Sequence, residues 1–194
     1  MSARPAITGI VIAGGLARRM GGVDKGLQGL DGRPLLAHVI GRFAPQVDTL
    51  LINANHNAAA YAAFGYPLVE DAIPGYAGPL AGLQAGLAAC NTPLLACVPC
   101  DSPFLPDELV ARLAAALVAE EADIAVATAN GRSHHAFLLC RREVLPGLSA
   151  YLAGGGRKIG LWLSGLKVAA VPFADEAAFA NINTLEELKN LEKS

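Results

Sequence analysis

The sequence lacks a large excess of charge of either sign. Its 194 residues include 15 basic and 17 acidic side chains, which gives a net charge of −2. No block of like charges stands out, so the basic surface that typically binds nucleic acid is not indicated. The sequence also lacks an apolar run of about 18 residues, the length that a membrane span requires. We therefore expect neither a nucleic-acid partner nor a membrane association.

The N-terminus lacks the features of a secretory signal. It carries one arginine, and its short apolar stretch ends in glycines, as a first strand would. We therefore expect a cytoplasmic protein. An apolar content of 53% with 16% charged residues supplies a sizeable core and excludes a disordered chain. The length suits one domain, so we expect a single domain over residues 1–194.

Cysteines are few, and the spacing of two of them is typical of a zinc or redox site. Cys97 and Cys100 have the CxxC spacing, and the other two are Cys90 and Cys140. No second pair and no nearby histidine completes a zinc site. Residues three apart on a strand also point to opposite faces. We interpret all four as reduced thiols of the core.

Apolar runs alternate with helical patterns along the whole chain. The predicted strands are Ile7–Ile12, Thr49–Asn53, Pro67–Glu70, Leu94–Val98, Ile124–Ala129, His135–Cys140 and Lys167–Pro172. The predicted helices are Leu35–Phe43, Ala58–Phe64, Leu80–Cys90, Asp107–Glu120, Val144–Leu152 and Thr184–Glu192. Most strands are continuous apolar runs, as a sheet covered on both faces requires. The pattern predicts a three-layer α/β fold, with a mostly parallel central sheet and helices on both faces.

A glycine-rich loop follows the first predicted strand and runs from Ala13 to Lys25. It contains Gly14, Gly15, Arg18, Arg19, Gly21 and Gly22. Glycines let backbone N–H groups approach a phosphate closely, and cations offset its charge. The loop matches neither the Walker pattern nor GxGxxG, which disfavours a P-loop NTPase and a dinucleotide oxidoreductase. We predict that it binds a nucleoside triphosphate, with Arg19 and Lys25 on the β- and γ-phosphates, although each cation alone could be a solvated loop charge.

A carboxylate follows the strand predicted at Leu94–Val98. Asp101 comes just after its end, and Pro103 and Pro106 then stiffen the chain. A carboxylate at this position can hold Mg²⁺, which takes oxygen ligands and bridges phosphates. An ordinary turn or N-cap role for Asp101 is the alternative. The position after a strand favours the metal.

Two further polar residues follow predicted strands and could select the base of a nucleotide. Asn53 ends one strand and Asp71 follows the next. Each side chain could accept hydrogen bonds from the N1–H and N2–H₂ groups of guanine, and polar pairing of this kind can be strongly selective. A strand-end cap for Asn53 and an Asx turn for Asp71 are the alternatives.

The next helix begins unusually. Gly78, Pro79 and Leu80 lead into it, and Gly82 and Gly86 then share one of its faces although glycine lowers helix propensity. The two helical glycines indicate either a close ligand approach or tight packing of the helix on the sheet.

The second half of the chain carries three weaker signals. His134 and His135 are adjacent on a predicted strand or its rim, so their side chains should diverge and a shared metal is not expected. The basic loop 154–158 either ends a helix or meets an anionic second substrate. Asn181 and Asn183 precede a predicted capping box at Thr184 and are available for ligands or for local backbone hydrogen bonds.

Taken together, these segments resemble a known family. Residues 13–25, AGGLARRMGGVDK, resemble the signature of nucleotidyltransferases with a Rossmann-like fold. Within that superfamily the chain is similar to the molybdenum cofactor guanylyltransferases of the MobA type. The supporting segments, in family order, are residues 53–55, 70–71, 78–82, 99–103 and 181–184. His134-His135 stands where the family pattern has His-Pro.

The resemblance implies transfer of GMP from GTP to the terminal phosphate of molybdenum-molybdopterin, with release of pyrophosphate. It implies GTP binding by the N-terminal part and an acceptor site toward the C-terminal part. It also implies Mg²⁺ on Asp101, catalytic roles for Arg19, Lys25 and Asp101, and other molybdenum cofactor biosynthesis proteins or acceptor apo-enzymes as partners. The implied binding residues are Ile12, Ala13, Gly14, Gly15, Lys25, Asn53, Asp71, Gly78, Pro79, Leu80, Asp101, Asn181 and Asn183.

Three alternatives stay open at this stage. A cytidylyltransferase for the same cofactor or a sugar-phosphate nucleotidyltransferase would use the same phosphate loop with a different base or acceptor. A molybdopterin carrier without transferase activity would not need the loop and Asp101 together.

Overall fold

A computed structural model describes residues 4–13, 24–73, 78–182 and 187 of the chain. Within these ranges the strands are β1 (Ile7–Ile12), β2 (Gly29–Leu30), β3 (Arg33–Pro34), β4 (Thr49–Asn53), β5 (Leu68–Val69), β6 (Leu94–Pro99), β7 (Ile124–Ala129), β8 (Arg132–Arg141) and β9 (Val168–Phe173). The α-helices are α1 (Leu35–Phe43), α2 (Ala58–Ala62), α3 (Pro79–Ala89), α4 (Leu109–Ala119), α5 (Leu145–Ala153) and α6 (Ile159–Leu163). Short 3₁₀ helices cover Lys25–Leu27, Ala44–Gln46, Arg142–Val144 and Ala177–Phe179.

Seven of the described strands form one sheet in the order β5-β4-β1-β6-β8-β7-β9. Strand β8 is antiparallel to both of its neighbours, β6 and β7. The other neighbouring pairs of this sheet are parallel. The predicted α/β class with a mostly parallel sheet is therefore confirmed.

The core lies on both faces of this sheet. Val11 of β1 packs in a cluster with residues of α1 and α4, such as Leu36 and Leu113. Its neighbour Ile10 points to the other face and packs with residues of α3 and α5, such as Leu83. Successive side chains of a buried strand serve opposite faces, which explains the continuous apolar runs in the sequence.

Two hairpins were not predicted, although short turn signals mark both. Asp31-Gly32 joins β2 to β3, and Asn130-Gly131 joins β7 to β8, with φ angles of 50° and 73° and of 49° and 73°. Two consecutive residues with positive φ form the tight turn that matches the twist of a hairpin, and Asp-Gly and Asn-Gly are its preferred sequences. This turn explains why β8 begins at Arg132, before the predicted start at His135. Helix α6 was also missed.

The predicted helix at Thr184–Glu192 falls mostly outside the described residues. Glu187 is the described position of this segment, and it is helical. Thr184 lies outside the described ranges. Among the described residues there is no helix that is long and apolar enough to cross a membrane.

The cysteines are buried and free, as the sequence predicted. Cys97 packs on the face of the sheet that α3 covers, whereas Cys100 belongs to the cluster on the other face. Burial raises the pKa of the Cys97 thiol to about 12. No group of three or more His, Cys, Asp or Glu side chains that could hold a metal occurs in the described part of the chain.

The glycines of α3 permit close packing of the helix on the sheet. A Cβ atom at Gly86 would lie 2.5 Å from Cδ1 of Ile10 and 3.2 Å from Cδ2 of Leu95. A Cβ atom at Gly82 would lie 2.8 Å from Cδ1 of Ile12. Tight helix–sheet packing is thus the reason for both glycines, and it sets the distance between α3 and the strand ends.

Replacing Gly86 with Ala should lower the free energy of unfolding by about 1–3 kcal/mol, because the added methyl group overpacks the interface with Ile10. Gly41 in α1 is the matched control, since a Cβ atom there meets nothing within 4 Å. Gly41→Ala should be neutral or should stabilise by about 0.5–1 kcal/mol through helix propensity. Urea denaturation followed by circular dichroism measures both. Equal effects of the two substitutions would contradict the packing account.

Candidate active site

Three adjacent parallel strands end at the same edge of the sheet. Ile12, the last residue of β1, is in register with Asn53 of β4 and with Pro99 of β6. Hydrogen bonds continue past these ends, from Ala13 N to Asn53 O at 2.8 Å and from Cys100 N to Ile12 O at 3.1 Å. The residues that follow the three strands are therefore held together. This is the edge at which open α/β sheets bind ligands.

A cavity of about 240 Å³ opens at this edge. Several residues that the sequence predicted as binding residues line it, namely Ile12, Ala13, Lys25, Pro79, Asp101 and Asn181. Apolar side chains of Leu83, Cys97, Leu138 and Ile159 also line it. A cavity with an apolar lining and a few converging polar groups is typical of a small-molecule site.

The charged centre of the cavity is an ion pair between Lys25 and Asp101. Lys25 Nζ lies 3.2 Å from Asp101 Oδ2. Asp101 is largely buried, with 7% of its surface exposed, and Lys25 begins the first 3₁₀ helix. Two residues separated by 76 positions are thus brought into direct contact. The pair places a cation and an anionic oxygen side by side, as phosphate chemistry requires.

The donor set around Asp101 suits Mg²⁺. Mg²⁺ usually binds through one or two carboxylates and completes its coordination with waters and substrate phosphates, so a cluster of protein ligands is not needed. The bond to Lys25 does not saturate the Asp101 carboxylate, because a carboxylate accepts about four hydrogen bonds or metal contacts. Asp101 can therefore hold a metal ion while it contacts Lys25.

Asn53 and Asp71 form a second polar group, beside the cavity. Asn53 Nδ2 donates to Asp71 Oδ1 at 2.9 Å and to the carbonyl of Val69 at 3.2 Å. Asn55, which sequence reasoning did not select as a binding residue, is a third member. Its Nδ2 donates to Asp71 Oδ2 at 2.8 Å, and its Oδ1 accepts from the Asp71 backbone N–H at 2.8 Å. The orientation of the Asp71 carboxylate is therefore fixed from two sides.

Gly82 makes room for this group. A Cβ atom at Gly82 would lie 2.4 Å from Oδ1 of Asn53. Asn53 has only 1% of its surface exposed, so it has little space to move away. A side chain at position 82 would therefore overlap the buried amide of Asn53, and glycine avoids this overlap.

The segment that enters α3 places the N-terminus of that helix at the cavity. Gly78 precedes the helix with a φ of 78°, a conformation that favours glycine, and Pro79 is the first helical residue. Leu80 has no exposed surface and packs in the core cluster between α3 and the sheet. The N-terminus of an 11-residue helix, which itself favours anions, lies at the cavity because Pro79 lines it.

Residues 181–182 are tied to residues 101–102 by two hydrogen bonds. Ser102 Oγ donates to Asn181 Oδ1 at 2.7 Å, and the backbone N–H of Ile182 donates to the Asp101 carbonyl at 2.8 Å. A residue close to the C-terminus is thereby brought to the cavity, whereas its predicted ligand role stays a prediction.

The two adjacent histidines diverge, as predicted. His134 stacks on Phe179, with ring centroids 4.7 Å apart and planes at 21°, and burial lowers its pKa. His135 lines the cavity instead. An irregularity in the pairing of β7 with β8 separates them, since Val126 pairs with Leu138 but Ala127 pairs with His134. Such bulges redirect side chains and often lie near active sites.

The basic loop after α5 ends that helix. Arg157 Nη1 donates to the carbonyl of Leu152 at 2.9 Å, and Gly155 has a φ of 85°. The helix-ending interpretation of residues 154–158 is therefore the one that the structure supports, and the next helix supplies Ile159 to the cavity.

Four of the predicted site residues lie outside the described ranges. They are Gly14, Gly15, Arg19 and Asn183. Their roles remain predictions from the sequence.

Sequence reasoning missed Asp24 and Tyr61. Asp24 lines the cavity, and the Tyr61 hydroxyl donates a hydrogen bond to Asp24 Oδ1. Asp24 precedes Lys25 directly, which is a signal that could have been used. No sequence signal connects Tyr61 to it, because 37 positions separate the two.

Comparison with known proteins bears on this geometry. The chain is 53% identical to a molybdenum cofactor guanylyltransferase of Cupriavidus necator, over 99% of this chain and 99% of that protein. It superposes on a crystal structure of molybdopterin-guanine dinucleotide biosynthesis protein A from Archaeoglobus fulgidus with a TM-score of 0.79 and 23% identity, over 96% and 97% of the two chains. It also superposes on CMP:2-keto-3-deoxy-manno-octonic acid synthetase in complex with CTP, with a TM-score of 0.74 and 15% identity, over 98% of each chain. The two superpositions show a shared fold.

A family model described as the MobA-like NTP transferase domain matches residues 9–166, which is most of the chain. This range contains most of β1, the ion pair of Lys25 with Asp101, and the Asn53–Asp71 group. Together with the relative from Cupriavidus necator, the match shows that this chain is a nucleotidyltransferase that belongs to the MobA-like NTP transferase family.

Proposed function

We propose that the protein transfers GMP from GTP to the terminal phosphate of molybdenum-molybdopterin, which releases pyrophosphate and forms the guanine dinucleotide form of the cofactor. The observation that carries the chemistry is the 3.2 Å pair of Lys25 and Asp101 in the cavity at the carboxyl edge of the sheet. The name of the relative from Cupriavidus necator supports the choice of GTP and of the molybdenum cofactor as substrates.

The reaction asks mainly for positioning and for neutralisation of charge. A phosphate oxygen of the acceptor attacks the α-phosphorus of GTP, the new P–O bond forms, and the bond to pyrophosphate breaks with its electron pair. The attacking phosphate is already ionised, so no general base is needed. Lys25 would stabilise the negative charge on the phosphates, and Arg19 is proposed for the same role.

Asp101 would hold Mg²⁺ in this scheme. The metal would supply further neutralisation of the phosphate oxygens. Lys25 keeps the Asp101 carboxylate oriented toward the cavity through their direct contact.

The base would be selected beside the cavity, by Asp71. Its two oxygens each accept one hydrogen bond from an asparagine amide, so each retains acceptor capacity. The N1–H and N2–H₂ groups of guanine are matching donors. Cytosine lacks this pair of donors, and a wrong base would leave polar groups unpaired.

Cytidylyl transfer is the second candidate, because a synthetase with this fold was solved with CTP. The fold alone therefore does not select the base. The Asn53–Asp71–Asn55 group supports guanine, since its oriented carboxylate offers acceptors that match the donors on the guanine edge.

Release of pyrophosphate tests the proposal directly. With molybdenum-molybdopterin and Mg²⁺ present, we expect the purified protein to release pyrophosphate from GTP but not at a comparable rate from CTP. Product analysis by mass spectrometry should show the guanine dinucleotide. Equal or faster release from CTP would establish the cytidylyl alternative, and binding of the cofactor without pyrophosphate release from either nucleotide would establish a carrier.

Loss of either member of the central ion pair should slow the reaction strongly. We expect Lys25→Ala and Asp101→Asn to lower kcat/KM by about 10²–10³, the range found when one electrostatic partner of a transition state is removed. Steady-state kinetics with GTP measures this. The control is Asp107→Asn, which breaks an exposed salt bridge to Arg42 with the same N–O distance of 3.2 Å. Wild-type rates in both cavity variants would exclude the proposed roles.

Changes at the base-selecting group should alter nucleotide preference. Asp71→Asn removes an ionic acceptor, and loss of a hydrogen bond to a charged group typically costs about 1.5–3 kcal/mol, so KM for GTP should rise tenfold or more. Gly82→Ala should act in the same direction, because its methyl group displaces Asn53. Gly41→Ala is the control for the added methyl group. The ratio of kcat/KM for GTP and for CTP is the measurement, and an unchanged ratio in both variants would place base selection elsewhere.

A further inference from the structure

A second carboxylate, that of Asp24, lines the cavity next to Lys25. Its two oxygens are both engaged by donors from the segment that forms α2. Oδ1 accepts the Tyr61 hydroxyl, and Oδ2 accepts Asn57 Nδ2 at 3.3 Å. The Asp24 carboxylate is therefore directed toward α2 by both of its hydrogen bonds.

The Tyr61 hydroxyl is the hydrogen-bond donor in this contact. The residue has no exposed surface, and a buried hydroxyl requires a hydrogen-bond partner. Burial and the hydrogen bond to Asp24 raise the pKa of Tyr61, so its hydroxyl keeps its proton at neutral pH. The aromatic ring is anchored in the core cluster on the α1 and α4 face of the sheet. The hydroxyl consequently connects a rigid part of the molecule to the cavity.

Gly26, which follows Lys25, packs closely against the same tyrosine. A Cβ atom at Gly26 would lie 3.0 Å from the Tyr61 hydroxyl oxygen and 3.4 Å from Cβ of Cys100. Gly26 is buried. Tyr61 thus contacts the residue before Lys25 through a hydrogen bond and the residue after it by close packing. The lysine that meets Asp101 is held at both flanks.

The charge arrangement gives this contact a function. A freely rotating Asp24 carboxylate would compete with Asp101 for the Lys25 ammonium, and it would repel an anionic nucleotide. Donors from Tyr61 and Asn57 direct the carboxylate to α2 and stabilise its charge.

We propose that Tyr61 is a positioning residue that, by binding Asp24, fixes Lys25 against Asp101 for the phosphates of a nucleoside triphosphate. The inference rests on the proposed function for the identity of that nucleotide as GTP and for the action of Lys25 on its phosphates. Tyr61 itself acts through Asp24 and Gly26.

The test compares substitutions that keep or remove the contact. Tyr61→Phe removes only the hydroxyl, so the dissociation constant of GTP with Mg²⁺ and KM for GTP should both rise about tenfold, the lower range for a lost hydrogen bond to a charged group. Asp24→Ala removes the same contact and should have a similar but not a larger effect, because it also removes the carboxylate that would compete for Lys25. Asp24→Asn keeps an oxygen that accepts the hydrogen bond from Tyr61. Its dissociation constant and KM for GTP should therefore stay within about threefold of the wild-type values, because only the charge of the acceptor is lost.

Combining the substitutions separates positioning from a general loss of structure. Tyr61→Phe with Asp24→Ala should be no worse than Asp24→Ala alone, because both remove the same contact. Tyr151→Phe is the matched control and should bind GTP like the wild type, since its hydroxyl donates to the Lys158 carbonyl at 2.9 Å. Melting temperatures accompany each measurement. If Tyr61→Phe does not fold, the difference in GTP affinity between Asp24→Asn and Asp24→Ala tests the same contact, and equal affinities would contradict the inference.

Two results would overturn the inference. One is GTP affinity and KM of Tyr61→Phe equal to those of the wild type. The other is an Asp24→Asn defect as large as that of Asp101→Asn, which would make Asp24 a direct ligand or catalytic group. Binding by calorimetry needs no acceptor, so wild-type protein that binds GTP but transfers no GMP would contradict the proposed function and leave the role of Tyr61 measurable.

Discussion

The parallel pairing of β1 with β4 and β6 is the constraint on which the site depends. Because the three strands run in one direction and in register, Ile12, Asn53 and Pro99 end at a common edge. Backbone hydrogen bonds past this edge hold the following residues in place. Lys25 and Asp101 can then meet although 76 positions separate them. A slip of one residue in either pairing would turn the side chains to the opposite face.

Each of three carboxylates near this edge is oriented by donors from another segment. Asp101 is bound by Lys25, Asp71 by two asparagines and Asp24 by Tyr61 and Asn57. A partly buried carboxylate is costly without such partners, because burial removes its hydration. The same partners fix where each negative charge points. Stability and preorganisation for an anionic substrate therefore have one structural cause here.

Several parts of this arrangement follow from the sequence through local rules. The continuous apolar runs predicted β1, β4 and β7 with the bounds that the structure shows, since buried strands need apolar side chains on both faces. Asp101 was predicted at the site because it follows a strand whose carboxyl end lies at this edge, and Asn181 was predicted there because residues 181–184 resemble the family pattern. The short hairpins were missed, although Asn130-Gly131 is a local turn signal of the same kind.

The sequence by itself determined the α/β class, the strand that precedes the glycine-rich segment and the chemical types of the residues in that segment. These features depend on hydrophobic periodicity and on residues close together in the chain. Only the tertiary structure decided that Lys25 pairs with Asp101, that Asn55 fixes Asp71 and that Tyr61 binds Asp24. Such contacts depend on which distant segments the sheet brings within hydrogen-bond distance. No local pattern encodes that choice, because each of these side chains has many sterically acceptable partners until the strand order is fixed.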